Sequence, residues 1–484
     1  MVQNESKQAV TEGPNEQTEE RTTGLMDDEQ QKRSRENVKV AGYPEGERGE
    51  ALKAKGIAVE SLVAERGLSS LSLLEEMLEA SNREDALERV KENKGSAGID
   101  GLSVKELPEY VAQNWSEIKA ALMEGRYKPK PVKRVEIPKP NGGMRQLGIP
   151  TVLDRFIQQM VMQTLQRYLD ETFSGYSYGF RPGKSAHQAV LQAQEYVRSG
   201  LRYVVDIDLE KFFDNVNHDI LMGRLAKRIG DKRVLKLIRA FLKAGVMENG
   251  LVSASEAGTP QGGPLSPLLS NVLLDELDKE LEKRGHRFVR YADDCNIYVS
   301  SEKAGKRVME GVTKFLWSRL KLKVNEEKSK VGRPWLRKFL GFSFTRHKES
   351  KRRIAPEAIK RFKERVRKLT CRKRGNTLEE IMTELRRYLL GWRGYFRLCE
   401  TPSVLEKLNK WTRRRLRSLM WTRWKTSRNR YHRLRAMGMS DLQAKEGAGR
   451  GVRGPWRMSR TRAIQTALTI KYFEQLGLPR LCSD

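Results

Sequence analysis

Two short apolar runs in this chain carry carboxylates where a buried strand tolerates them least. Arg202-Tyr-Val-Val-Asp-Ile-Asp-Leu209 is β-branched and apolar, a buried strand by composition, and it ends on Asp208. Phe288-Val-Arg-Tyr291 and Cys295-Asn-Ile-Tyr-Val299 read as two further strands. They flank Ala292-Asp293-Asp294, so they form a hairpin with adjacent carboxylates at its tip. A charge at the end of a buried strand is costly unless it is paired or holds a cation. Asp206 and Asp208 are two apart and share one face of their strand. Three carboxylates on converging strand ends suit two Mg²⁺ ions, which prefer a few carboxylates plus phosphate oxygens and water. Two such ions, about 3.5–4 Å apart, stabilise the attacking and leaving oxygens of an in-line displacement at phosphorus. An Asp-Asp turn is common on protein surfaces, so the pair needs support from the rest of the chain.

Charge supplies part of it. Lys and Arg number 93 against 62 Asp and Glu, a net +31, which calls for a polyanionic partner such as nucleic acid. The excess is uneven. Residues 351–484 hold 36 Lys and Arg against 11 Asp and Glu, a net +25, while residues 1–50 are net −5. Four widely spaced cysteines include no C-x-x-C pair, so neither a zinc site nor a disulfide framework is expected. No run of about 18 apolar residues offers a membrane span. No signal core or transit character opens the chain, and a cytoplasmic protein is expected.

With 484 residues, several domains are expected. Residues 1–64 are polar and aromatic-poor and are expected to be disordered. A helical N-terminal unit is expected over 65–130, with a capping box at Ser81-Asn-Arg-Glu84 and a restart at Ser103-Val-Lys-Glu106. Residues 132–149 read as a hairpin about Pro140-Asn-Gly-Gly143, and a helix is expected from Val152 to Leu169. Strands separated by helices make 131–350 an α+β unit. Beyond residue 351 strand signals vanish. Pro356 opens a helix, Thr377-Leu-Glu-Glu380 caps a second and Ser403-Val-Leu-Glu406 a third. The helical part is expected over 351–440. Residues 440–455 read as a linker, and 441–484 as a basic tail.

The motifs, taken together, resemble the reverse transcriptases. Tyr291-Ala-Asp-Asp294 is similar to their signature. Asp208-Leu-Glu-Lys-Phe-Phe213 resembles its partner motif, an Asp followed five residues later by an aromatic. Gly258-Thr-Pro-Gln-Gly-Gly-Pro-Leu-Ser-Pro267 resembles the glycine-rich nucleotide segment, Lys139-Pro-Asn-Gly-Gly-Met-Arg145 the basic fingers hairpin, and Phe339-Leu-Gly-Phe342 the primer grip. The resemblance implies a right-hand polymerase of fingers and palm with an α-helical thumb. It selects Asp208 over Asp206 as metal ligand, because Asp206 is followed five residues on by Lys211. It implies Asp208, Asp293 and Asp294 as catalytic ligands of two Mg²⁺ ions, and Lys139, Arg145, Phe213, Gln261 and Gly262 as nucleotide-binding residues. Phe213 would exclude a ribose 2′-hydroxyl by bulk. Leu340 and Gly341 would grip the primer, and Lys328 is a candidate proton donor to pyrophosphate.

The flanks narrow the family. Asn93-Lys-Gly-Ser-Ala-Gly-Ile-Asp-Gly101, Ser174-Gly-Tyr-Ser-Tyr-Gly-Phe-Arg-Pro-Gly183 and Tyr388-Leu-Leu-Gly-Trp-Arg-Gly-Tyr-Phe396 resemble group II intron-encoded reverse transcriptases with a maturase domain. That implies copying of intron RNA into DNA, assistance to splicing, and a role in mobility. The implied partners are the group II intron RNA, a DNA target and primer, and dNTPs, with no membrane. Arg413, Arg414, Arg415, Arg417 and Arg423, beside Trp411, Trp421 and Trp424, are the expected RNA-binding residues. Many relatives end in a Cys/His-rich endonuclease. Here His432 is the only histidine after residue 350, so that domain is not expected and the primer would come from elsewhere, such as a replication fork. Two alternatives are a splicing factor whose polymerase has decayed and a reverse transcriptase serving defence or diversification. The three carboxylates argue against the first, the maturase-like segment against the second.

Overall fold

The computed structural model describes residues 73–138, 144–248, 251–253, 258–259, 262–371, 375–449 and 454–482. The leader expected over 1–64 lies outside them. Three helices come first: Leu73–Met77 (α1), Ala80–Glu92 (α2) and Leu107–Met123 (α3). The capping box expected at Ser81 does not form. Helix α2 begins one residue earlier, after Glu79, with no side-chain cap. Asn82 is buried and donates instead to the Met77 carbonyl (2.7 Å). Val132–Pro138 (β1) and Met144–Ile149 (β2) pair antiparallel, with Ile137 opposite Arg145. Helix α4 (Val152–Leu169) is capped by Thr151, whose hydroxyl accepts from the Asp154 amide.

Helix α5 (Ala186–Arg198) precedes strand β3 (Tyr203–Ile207). Helices α6 (His218–Ala226) and α7 (Lys232–Leu242) lead to β4 (Val246–Glu248) and β5 (Leu251–Ser253), which join the first hairpin in a sheet of order β2-β1-β4-β5. Helix α8 (Ser266–Lys283) then crosses to the hairpin of β6 (Arg287–Tyr291) and β7 (Asp294–Val299). After helix α9 (Glu302–Phe315), strand β8 (Lys330–Gly332) completes a second antiparallel sheet, β6-β7-β3-β8.

This second sheet is the one the resemblance would make the palm, and alternation along its strands decides what each face meets. Val205, Ile207, Ile297 and Val299 enter one core with α4, α6, α8 and α9. Val204, Val289 and Tyr298 point the other way and enter a second core with α5 and the C-terminal helices. Asp206 shares the face of Val204. Each such large apolar side chain contributes about 1.5–3 kcal/mol when buried, so the sheet is stabilised from both sides.

A small hairpin, Phe342–Phe344 (β9) and Arg352–Ile354 (β10), bridges to the helical part, so strand structure extends slightly past residue 351. Helices α10 (Pro356–Leu369), α11 (Leu378–Tyr395) and α12 (Pro402–Arg423) follow. Thr377 and Glu380 form the expected capping box. The box expected at Ser403 does not form: Pro402 occupies the first turn, and Thr401 makes no cap bond. Phe362, Trp392 and Phe396 pack ring on ring between α10 and α11, with successive centroids 4.6 Å apart.

The described residues of the stretch expected as linker and tail are folded instead. Helices α13 (Ser427–Ala436), α14 (Asp441–Ala448), α15 (Pro455–Met458), α16 (Arg462–Ala467) and α17 (Ile470–Gln475) pack with α12. Ala444, Ile464, Leu468 and Phe473 are buried there, and Ser440 with Gln443 caps α14. Glycine and arginine content masked a sparse but sufficient apolar pattern. Among the described residues no helix is long and apolar enough to cross a membrane. All four cysteines are free thiols.

Candidate active site

The carboxylates meet where β3 and the β6–β7 hairpin end together. The register pairs Ile207 with Cys295 and Asp206 with Asn296, which brings Asp208 and Asp294 to neighbouring strand ends. Tyr291 pairs with Asp294, so Ala292 and Asp293 form a two-residue turn in which Ala292 takes a left-handed φ of 58°. Burial pushes the Asp294 carboxyl up to about 7, and the nearby charges of Asp206, Asp293 and Asp208 add to the rise. Carboxylates so crowded repel one another until a cation is shared among them.

The turn is held from behind by groups the sequence reading passed over. Arg290 is 1 % exposed and Asp278, on α8, is fully buried. The guanidinium forks onto Asp278 (2.7 and 2.6 Å) and donates to the Asn271 side chain (3.1 Å) and the Ala292 carbonyl (2.8 Å). Asn271 donates on to the Gly179 carbonyl (2.9 Å). A Cβ at Gly179 would lie 2.2 Å from the Ala292 amide nitrogen, so only glycine lets the Ser174–Gly183 segment back against the turn. Arginine in the middle of an apolar strand, and aspartate in the apolar helix Leu268–Leu281, were the signals for this pair.

Asp208 and Asp206 have different partners. Asp208 follows the end of β3. Its Oδ1 lies 3.2 Å from Lys328 Nζ, and its amide donates to Ser329 Oγ (2.9 Å). Asp206 is 9 % exposed and accepts from both Nε (3.0 Å) and Nη2 of Arg337, whose Nη2 also donates to the Lys328 carbonyl (2.9 Å). Burial raises the Asp206 carboxyl, and Arg337 opposes that rise. Arg337 thus neutralises Asp206, while among the described residues the Asp208 carboxylate pairs with a lysine that is itself 66 % exposed.

The remaining expected residues fall as follows. Phe213 is half-buried and packs edge-on against the buried Phe212 (5.2 Å). Its carbonyl accepts from the Thr259 amide (2.7 Å), which ties the glycine-rich segment to the Asp208 motif. Gly262 is exposed with φ 128°, and a Cβ there would meet the Gly148 carbonyl at 2.8 Å, so that segment abuts β2. Arg145 sits on β2; Lys139 and Gln261 lie outside the described residues. Leu340 and Gly341 form a tight turn closed by paired Phe339–Phe342 backbone bonds (2.9 Å each), and Tyr395 Oη donates to the Leu340 carbonyl (2.9 Å).

The helical arginines divide. Arg417 is 9 % exposed and donates to the Leu468 carbonyl (2.9 Å), so it closes the domain and does not face outward, against the expectation for it. Arg414 stacks on Trp456 (3.8 Å), Arg415 donates to Thr370 (3.0 Å) and Arg423 to the Asn376 carbonyl. Arg413 and these three are half-buried. More exposed cations line α10 and α13: Arg361, Arg365, Arg367, Arg428, Arg433 and Arg435.

Among the described residues no three acid, histidine or cysteine side chains already stand as a metal-ligand group. The donor set nevertheless fits divalent cations: hard oxygens only, crowded, with the Asp294 carboxyl raised, and with a lysine ammonium on Asp208 where a cation would sit.

Two family models match the chain. Residues 137–344 match "Reverse transcriptase (RNA-dependent DNA polymerase)" and residues 359–438 match "Group II intron, maturase-specific domain". The chain is 33% identical over 272 residues to Protein YkfC of Escherichia coli K12, covering 48% of this chain and 71% of YkfC. It is 38% identical over 237 residues to the group II intron-encoded protein LtrA of Lactococcus lactis, covering 48% of this chain and 38% of LtrA. It is 32% identical over 207 residues to the putative COX1/OXI3 intron 2 protein of Saccharomyces cerevisiae, covering 41% of this chain and 23% of that protein. The chain thus spans well under half the length of the two intron proteins.

Proposed function

From a chain that belongs to the group II intron-encoded reverse transcriptases and maturases, we propose an RNA-directed DNA polymerase that also binds its parent intron RNA to promote splicing and mobility. One observation carries the polymerase reading: Asp208, Asp293 and Asp294 stand at neighbouring strand ends, braced by a buried ion pair, with the glycine-rich segment tied to the Asp208 motif. Bound Mg²⁺ ions would supply stabilisation of the primer 3′-oxygen and of the departing pyrophosphate. Asp208 and Asp293 would hold both ions, with Asp294 assisting near the primer end. Lys328, already against Asp208, would donate a proton to pyrophosphate. Phe213 would lie against the sugar of the dNTP. Lys139, Arg145, Gln261 and Gly262 would bind the nucleotide, and Leu340 and Gly341 would position the primer.

The maturase reading rests on the basic helical part. Its half-buried Arg413, Arg414, Arg415 and Arg423, with the exposed cations of α10 and α13, would meet intron phosphates. Arg417 is omitted from that surface. The work would be done in the cytoplasm, at the nucleoid for DNA copying. The test of the first half is primer extension on an RNA template with Mg²⁺, comparing wild type with Asp293→Asn. Loss of extension is expected, and equal extension ends the assignment. For the second, Asp293→Asn should still promote splicing at low Mg²⁺, whereas charge reversal of Arg413, Arg414 and Arg423 should not. Unchanged intron binding and salt dependence after that reversal would refute the RNA surface.

A further inference from the structure

At the end of the palm sheet opposite Asp208 lies a cleft of about 230 Å³, where α5 ends, β3 begins and the β9–β10 loop folds over. Five residues of strand separate the two ends, roughly 17 Å at the rise of a β-strand. The cleft is therefore outside the polymerase centre. Its rim carries Arg202, Arg346 and Lys348, all exposed, and none makes an ion pair among the described residues. His347 stands between the last two, and Trp335 is among the residues lining the cleft.

The cleft is pre-organised. Arg198 is anchored by Glu400 (3.5 Å) and by the Glu349 carbonyl (2.9 Å). The loop 345–351 is closed by the Thr345 amide on the Lys351 carbonyl (2.9 Å) and by the Ser350 amide on the His347 carbonyl (2.9 Å). Gln194 donates to the Ser350 carbonyl (2.7 Å), which fixes the loop to α5. Arg353 holds the Trp335 carbonyl (2.8 Å), and Arg333 stacks between Tyr203 (4.0 Å) and Trp335 (5.4 Å). These contacts fix the walls and the loop, and the rim cations Arg202, Arg346 and Lys348, grouped without a counter-charge among the described residues, repel one another unless an anion is shared among them. An indole wall beside several separate cations, on a scale of one flat ring, matches a polynucleotide strand better than an acidic peptide. One unpaired base would stack on Trp335, and phosphates on either side would meet Arg202 and the Arg346–Lys348 tip.

We propose that this cleft is a second RNA site that captures an unpaired nucleotide of a single-stranded loop, remote from the polymerase centre. RNA is chosen because folded RNA displays unpaired, splayed bases, and those are the elements proteins read in it. The site is independent of whether the chain polymerises.

The test uses the full chain with a primer–template duplex already bound, so that the polymerase channel is filled. A 12-nucleotide unstructured oligoribonucleotide carrying 4-thiouridine is added, irradiated, and its crosslinks are mapped by peptide sequencing. Crosslinks are expected in the segments containing Trp335 and residues 345–351. Trp335→Ala should weaken the second-site affinity about 5- to 150-fold, and Trp335→Phe should restore most of it. Joint Arg202→Gln, Arg346→Gln and Lys348→Gln replacement should lower the slope of log K against log salt by about 2. Primer extension by these variants should stay near wild type. Crosslinks confined to other segments, or unchanged affinity and slope in the variants, would overturn the proposal. So would a matching oligodeoxyribonucleotide or poly-glutamate competing as well as the RNA. If a variant lost extension through misfolding, the wild-type crosslink map would decide alone.

Discussion

The buried Arg290–Asp278 pair offers the sharpest test of how the catalytic turn is held. Both side chains are removed from water, and Arg290 has four acceptor contacts, two of them on Asp278. Replacing Asp278 by leucine leaves a guanidinium buried with only the Ala292 carbonyl and the Asn271 side chain. Breaking such a pair from one side costs about 3–5 kcal/mol. Replacing both, as Arg290→Met with Asp278→Leu, removes the buried charge altogether, and stability should return to within about 1–2 kcal/mol of wild type. Activity should not return. The Ala292 carbonyl then lacks its charged donor, a bond worth about 1.5–3 kcal/mol. If that bond serves mainly to hold Asp293 in place, extension falls about 10- to 150-fold at about 1.4 kcal/mol per decade. Urea unfolding gives the first quantity, single-turnover extension the second, and hydrogen exchange on the β6 and β7 amides shows that the loss is local. A double variant as active as wild type would mean that Arg290 only fills space. A single variant as stable as wild type would mean that the charges are not desolvated as described.

Other outcomes follow from neighbouring features. Gly179→Ala should cost about 1–3 kcal/mol and slow extension, because the new Cβ meets the backbone of the Ala292 turn; an unchanged melting temperature would refute that close approach. Lys328→Ala should slow the chemical step by about 10²-fold or more, measured in single turnovers. Lys328→Arg should not rescue it if a proton is given up, and should rescue it if charge alone matters. Phe213→Val should let ribonucleotides be incorporated, read as the ratio of rNTP to dNTP extension; no change in that ratio removes Phe213 from the sugar pocket. Glu400 is raised by burial, but its bonds to the Arg352 amide and Gln194, with the charges of Arg352 and Arg198, outweigh that and hold it below its ordinary value. A carboxylate depressed on folding contributes stability above its unfolded value of 4.5 and loses it as pH falls through the folded value. Glu400→Gln should therefore destabilise at neutral pH, with the difference closing as pH falls below the unfolded value and through the folded one. A pH-independent gap would refute the assignment.

What was legible in the sequence has a physical pattern. The β6–β7 hairpin was readable because β-branched runs around a two-residue turn leave few alternatives, and the Thr377 box because the residues that cap it are local. Ser81 and Ser403 had the same spacing but no box, since the helices start before them at Ala80 and Pro402. Spacing within a turn cannot say which turn comes first. Arg417 was read as a surface cation because its charge is visible in the sequence and the Leu468 carbonyl that accepts from it, 51 residues away, is not. The choice of Asp208 over Asp206 came from family resemblance, and Arg337, the partner that sets Asp206 apart in space, lies 131 residues further on.

The two-sided burial of the palm has a consequence for how the chain is made. One face of the β6-β7-β3-β8 sheet is covered by helices synthesised before or just after it. The other buries Val204, Val289 and Tyr298 with Phe342, Phe362, Trp392 and Phe396. Ala189, Val190 and Tyr196 of α5 already cover part of that second face during synthesis, and the rest is shielded only when Phe342, Phe362, Trp392 and Phe396 have followed. A chain stalled near residue 350 would leave part of an apolar sheet face bare, the kind of surface on which partly made proteins aggregate. Completion of the helical half is then also what shields the palm, and separate expression of the palm should yield inclusion bodies.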